Sequence, residues 1–62
     1  MKGLTMLPKD PVILLSYINL KLRDFYPSLD ELCAAEQISR AELEKTLASI
    51  DYAYDVEANA FV

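Results

Sequence analysis

The sequence predicts a mainly α fold: three helices, the second and third arranged as a helix-turn-helix, then a C-terminal β-hairpin. This is a small α+β, winged-helix-like architecture. Three observations predict it. The run Asp10–Tyr26 (DPVILLSYINLKLRDFY) carries apolar residues at helical spacing between a start and a stop signal. Two capping boxes follow, Ser28-x-x-Glu31 and Ser39-x-x-Glu42. From Tyr52 onward the spacing shortens to alternation on either side of a turn-forming segment.

The first helix is expected over 10–26. The Asp10 carboxylate can accept from a free N–H of the first turn, and Pro11 lacks only an N–H that has no helical partner there. Pro27 disfavours helix at Tyr26. Leu14, Ile18, Leu22 and Phe25 fall on one face, with Leu15 beside them. Ile13, Tyr17 and Leu20 form a second apolar strip, which leaves only Ser16, Asn19 and Arg23 as a solvated sector. A helix apolar nearly all round is covered on most sides. A chain of 62 residues covers one side well. The second strip then needs the hairpin or another copy of the chain.

Residues 1–9 form an N-terminal arm, in which Leu4, Met6 and Leu7 offer a short strand or packing segment against a default of fraying. The second helix is expected over 28–36, with Leu29, Leu32 and Cys33 on its buried face. The third is expected over 39–51, with Leu43, Leu47 and Ile50 buried and Ile38 plugging the core from the link. Residues 52–62 form the hairpin, with strands near Asp51–Tyr54 and Ala60–Val62. Asp55 suits the start of a type I turn and Asn59 the left-handed position near its end. The whole is one domain without repeats or linkers.

Composition narrows the function. A domain of this size is marginal unless a disulfide, a metal or a partner subunit supports it. Cys33 is the single cysteine and there is no histidine, so neither a disulfide nor an evident metal site is expected. Self-association is the remaining remedy. Ten acids against six bases give a net charge of −4, which works against binding nucleic acid or anionic lipid. No apolar run is long enough to span a membrane, and no signal peptide is evident. One unpaired cysteine fits a reducing, cytoplasmic setting. No nucleophile–base pair supports catalysis, no cofactor motif is present, and Cys33 reads as a buried structural thiol.

The segment Leu32–Leu47 resembles a helix-turn-helix, although Gln37 stands where the turn usually has glycine and Glu36 where an apolar residue is usual. As a DNA reader it would use Arg40, Ala41 and Lys45. The third helix also shows Glu42 and Glu44 outward, and the hairpin tip adds Asp55 and Glu57, a poor surface for phosphates. Tyr52 and Tyr54 join Ile13, Tyr17 and Leu20 as candidate contact residues, because tyrosine combines an apolar body with a polar tip. The expected function is a non-enzymatic, homodimeric protein-interaction module of unknown partner. The alternative is a dimeric winged-helix-like DNA-binding regulator.

The words LPKDP, LRD-x-Y-x-SLDELC, LASI-x-Y-x-YD and N-x-F, carried by LPKDPVILLSYINLKLRDFYPSLDELC, LASIDYAYD and Asn59–Phe61, resemble a small bacterial family known as a domain of unknown function. The resemblance covers nearly the whole chain from Leu7. It implies a stand-alone cytosolic bacterial protein and supplies no activity. The family's usual glycine before the first hairpin tyrosine is Asp51 here, so a different exit from the third helix is expected.

Overall fold

The computed structural model describes residues 8–62. Residues 1–7, with the strand considered at Leu4, Met6 and Leu7, lie outside them. Helix α1 spans Pro11–Asp24, α2 Leu29–Glu36 and α3 Arg40–Ala48. Strands β1 (Tyr54–Asp55) and β2 (Ala60–Phe61) pair antiparallel, with Tyr54 opposite Phe61 and Asp55 opposite Ala60. The fold is therefore the expected three helices and hairpin.

The capping oxygens act as the sequence indicates, while the return bond from Glu31 or Glu42 to the cap N–H that would complete either box is not formed. Val12 N–H donates to Asp10 Oδ1 at 2.9 Å, with Pro11 at the first helical position. Glu31 N–H donates to Ser28 Oγ at 3.2 Å and Glu42 N–H to Ser39 Oγ at 3.3 Å. Each removes one unpaired donor from a helix start. Between α2 and α3, Gln37 takes the left-handed conformation (φ 58°, ψ 47°) that glycine usually fills. Its N–H and that of Ile38 both close on the Cys33 carbonyl, which ends α2 tightly despite the side chain.

The core is made by Leu14, Ile18 and Leu22 of α1, Leu29, Leu32 and Cys33 of α2, Leu43 and Leu47 of α3, and Phe61 of β2. Ile38, Ile50, Tyr17, Tyr26 and Tyr54 pack around it. Phe61 is the one aromatic ring fully enclosed; it lies against Tyr54 at 5.6 Å between ring centres. The hairpin thus closes the helical core rather than projecting as a free wing.

Helix α1 is shorter than expected: Pro27 ends it, and the hairpin takes up the carbonyls this leaves open. Tyr26 is held out of helix by Pro27, and its N–H reaches back to Lys21 O at 3.1 Å, not to Leu22 O. The Leu22 carbonyl is left without a helical donor. Asn59 Nδ2 supplies one, donating to Leu22 O at 3.1 Å and to Tyr26 O at 3.0 Å. Phe25 is the cap residue of this unwound turn, and its ring swings out to 67% exposure instead of joining the core.

The same asparagine is tied to α2. Tyr54 Oη donates to Asn59 Oδ1 at 2.6 Å and accepts from Leu29 N–H at 3.2 Å. Asn19 corrects a further expectation, since it does not belong to a solvated sector. Its Nδ2 donates to Phe61 O at 3.1 Å and its Oδ1 accepts from Phe61 N–H at 2.8 Å, as a neighbouring strand would. One amide fixes each end of β2 to α1.

Helix α3 ends at Ala48, before the expected limit, and β1 starts at Tyr54. The residues between form a compact exit. Asp51 adopts φ 67°, Asp51 N–H donates to Ala48 O, and Tyr52 N–H donates to Leu47 O. Asp51 therefore makes the left-handed exit associated with glycine, and the helix leaves as a glycine would make it leave. The hairpin loop matches the expectation. Glu57 N–H and Ala58 N–H donate to Asp55 Oδ1 at 2.9 and 3.4 Å, and Asn59 takes φ 51°.

Two sets of variants test this account by urea unfolding followed by circular dichroism. Asn59→Gly keeps the left-handed backbone but removes the amide bonds, and should cost about 2–3 kcal/mol. Asn59→Ala should cost about 1 kcal/mol more, because Cβ then resists the conformation. Gln37→Gly and Asp51→Gly should each raise stability by about 0.5–1 kcal/mol, the relief of left-handed strain exceeding the entropy of glycine.

Candidate interaction surface

With its inner face spent on the core, α1 presents the opposite face outward. Ile13 and Leu20 sit seven residues apart on that face, 57% and 46% exposed. Ser16 lies between them and Val12 beside it, both exposed. Lys9, Asp10, Arg23 and Asp24 are exposed at the two ends of the helix. The structure thus places an apolar centre between charged ends on a rigid element about 21 Å long (14 residues).

Beside this face a groove of about 940 Å³ runs between α1 and the hairpin. Leu15, Ser16, Asn19, Leu20 and Arg23 line it from the helix, Tyr52 and Ala60 from the hairpin. Leu20 and Tyr52 therefore belong to one continuous surface with Ile13. Tyr52 keeps its ring 37% exposed there.

The other two candidate tyrosines are placed differently. Tyr54 is half-buried, its hydroxyl spent on Asn59 and Leu29 and its ring packed on Phe61. Tyr17 packs against the core cluster, with the Lys21 ammonium 5.4 Å from its ring centre. The same ammonium stands 5.0 Å from the Phe25 ring and 4.0 Å from Glu36. Helical periodicity does not single out Val12, because it falls between the two apolar strips. On a helical projection it lies beside Ser16 and Arg23, in the sector that faces away from the core.

Charges near this face are locally paired. Arg23 Nε donates to Asp24 Oδ1 at 3.0 Å on the open surface. The bond holds the Asp24 carboxyl below its ordinary range and the Arg23 guanidinium above its own. On the α2 side, Tyr26 Oη donates to Glu36 Oε2 at 2.7 Å, which raises the phenol. Glu36, out of place in a helix-turn-helix pattern, thus serves the link between α1 and α2.

The face proposed for DNA is built from Arg40, Ala41 and Lys45 at the start of α3. Ala41 and Lys45 are exposed. Arg40 is engaged: Nε donates to Glu44 at 2.8 Å, Nη1 to Asp30 at 2.6 Å, and the guanidinium stands 5.6 Å from the Tyr54 ring centre. Hydrogen bonding to Glu44 and then Asp30 raises its pKa further. A guanidinium already neutralised by two carboxylates has little left for a phosphate. Cys33 is 8% exposed, and burial pushes its thiol up, away from the thiolate that nucleophilic chemistry requires.

Among the described residues, no helix is long and apolar enough to cross a membrane. Comparison with curated proteins and with solved structures returned no significant match. A family model described as "Domain of unknown function (DUF4250)" matches residues 8–61. That span takes in α1, both capping boxes and the Tyr54–Asn59–Phe61 clasp, and the chain belongs to this family.

Proposed function

We propose that the protein is a non-enzymatic interaction module that associates with a second copy of itself through the outer face of α1. The observation that carries this reading is the surplus of apolar surface on one helix. Leu14, Ile18 and Leu22 already fill the core, yet Val12, Ile13 and Leu20 stay between 46% and 59% exposed on the same element. In a domain this small the core is modest, and covering such a face adds stability that the chain alone lacks. Tyr52 extends the surface across the groove, while Tyr54 and Tyr17 serve mainly their own chain. The sealed thiol of Cys33 agrees with a non-catalytic role.

Sedimentation at micromolar concentration tests the proposal. Wild-type protein should sediment as a dimer, and Ile13→Glu should sediment as a monomer with unchanged helical circular dichroism. A burial cost of a few kcal/mol for an unpaired carboxylate should weaken association at least tenfold. A wild-type protein that is monomeric throughout would refute self-association. An Ile13→Glu variant that unfolds would assign that residue to the core.

A further inference from the structure

We propose that the two copies pair with their α1 helices antiparallel, about a twofold axis passing beside the Ser16–Tyr17 peptide bond. This rests on the self-association reading above and specifies the arrangement. The argument is the symmetry of the exposed residues about that point. Equal spacing on either side sets Ile13 opposite Leu20 and Asp10 opposite Arg23.

Each pairing is complementary. Ile13 and Leu20 lie on one stripe, so both copies bring the same apolar centre to the seam. On the helical projection carried to the cap, Asp10 and Arg23 fall on opposite sides of the Ile13–Leu20 stripe, at opposite ends of α1. A twofold axis perpendicular to the helix exchanges both end and side, and so brings them to one side of the seam. Both are exposed, and Asp10 keeps a second carboxylate oxygen beyond the one that caps Val12. The existing Arg23–Asp24 contact is a surface pair between adjacent residues, cheap to rearrange.

A parallel pair fails the same check. It would set Asp10 against Asp10 and Arg23 against Arg23, stacking like charges at both ends. At the centre of the antiparallel seam the small Ser16 of each copy lets the axes approach to the roughly 8–10 Å of packed helices, while Tyr17 stays on its own core. The groove flanking Ser16, Asn19 and Leu20 lies alongside this seam.

Directed disulfides read the register. In a Cys33→Ala background, shown folded by circular dichroism, Ile13→Cys and Leu20→Cys chains are prepared, one isotopically labelled. They are mixed and oxidised mildly at micromolar concentration. The antiparallel seam predicts a mixed disulfide between the two variants and little product from either alone. Homodisulfides from each variant alone would overturn the proposal in favour of a parallel pair. A dimeric mass without any of these products would overturn the seam while leaving self-association standing. A monomeric wild-type mass would remove both readings.

A double-variant cycle checks the ends independently. Asp10→Ser, which keeps a capping oxygen, and Arg23→Gln should each weaken the dimer about two- to fivefold, and the double variant should weaken it no more than either alone. Additive losses in the double variant would count against the assigned pairing.

Discussion

The fold depends on the hydrogen bond between the Tyr54 hydroxyl and the Asn59 side chain. Around it, three elements exchange groups that would otherwise be unpaired. The end of α1 leaves the Leu22 and Tyr26 carbonyls open, and the Asn59 amide closes both. The start of α2 leaves the Leu29 N–H open, and the Tyr54 oxygen accepts it. Neither asparagine nor tyrosine could do this from a different backbone, because the left-handed conformation of Asn59 turns its amide inward beneath the loop. Among the described residues no buried side-chain polar atom lacks a partner, a condition a small core cannot relax without loss.

This clasp explains the division of labour along α1. Its inner face and its C-terminal end are used up by the chain itself, through Leu14, Ile18, Leu22 and the carbonyls that Asn59 collects. On its outer face Val12, Ile13 and Leu20 stay exposed. Helices α2 and α3 follow one another across a short turn, as a helix-turn-helix pattern would have them, but the first basic residue of α3 is spent on Asp30, Glu44 and the Tyr54 ring. Arg40 thereby braces the junction of α2, α3 and β1, a structural use for a residue that composition alone would assign to a ligand. Likeness in geometry does not carry function with it.

Local chemistry made much of the fold legible. Asp10, Ser28, Ser39 and Asp55 satisfy backbone donors within a few residues of themselves, so sequence spacing is enough to find them. The apolar positions of α2 and α3 follow helical spacing for the same reason. Asn19 was not legible. Its partner is the backbone of Phe61, far along the chain, and a polar residue between Ile18 and Leu20 reads as solvated on any helical projection. Helical spacing puts Phe25 on the core face, but the helix ends one residue before it, and the cap conformation turns Phe25 outward. Asp51 and Gln37 reach left-handed geometry without glycine, which composition does not signal. Of the candidate surface, Ile13 and Leu20 followed from periodicity alone. Their union with Tyr52 required the hairpin to be folded back beside α1.

The paired bonds between Asn19 and Phe61 have a consequence for how this sheet can grow. Ala53 and Val62 exchange both backbone bonds, so the Phe61 N–H and C=O point off the far side of β2, where Asn19 holds them. By the same alternation, the N–H and C=O of Tyr54 point away from β2 on the other margin. A cross-β fibril needs two receptive margins on every unit, one to accept a neighbour and one to offer the next. With one margin stoppered by a side-chain amide from a helix, a further strand would have to displace Asn19 there, which works against an unlimited stack of folded molecules.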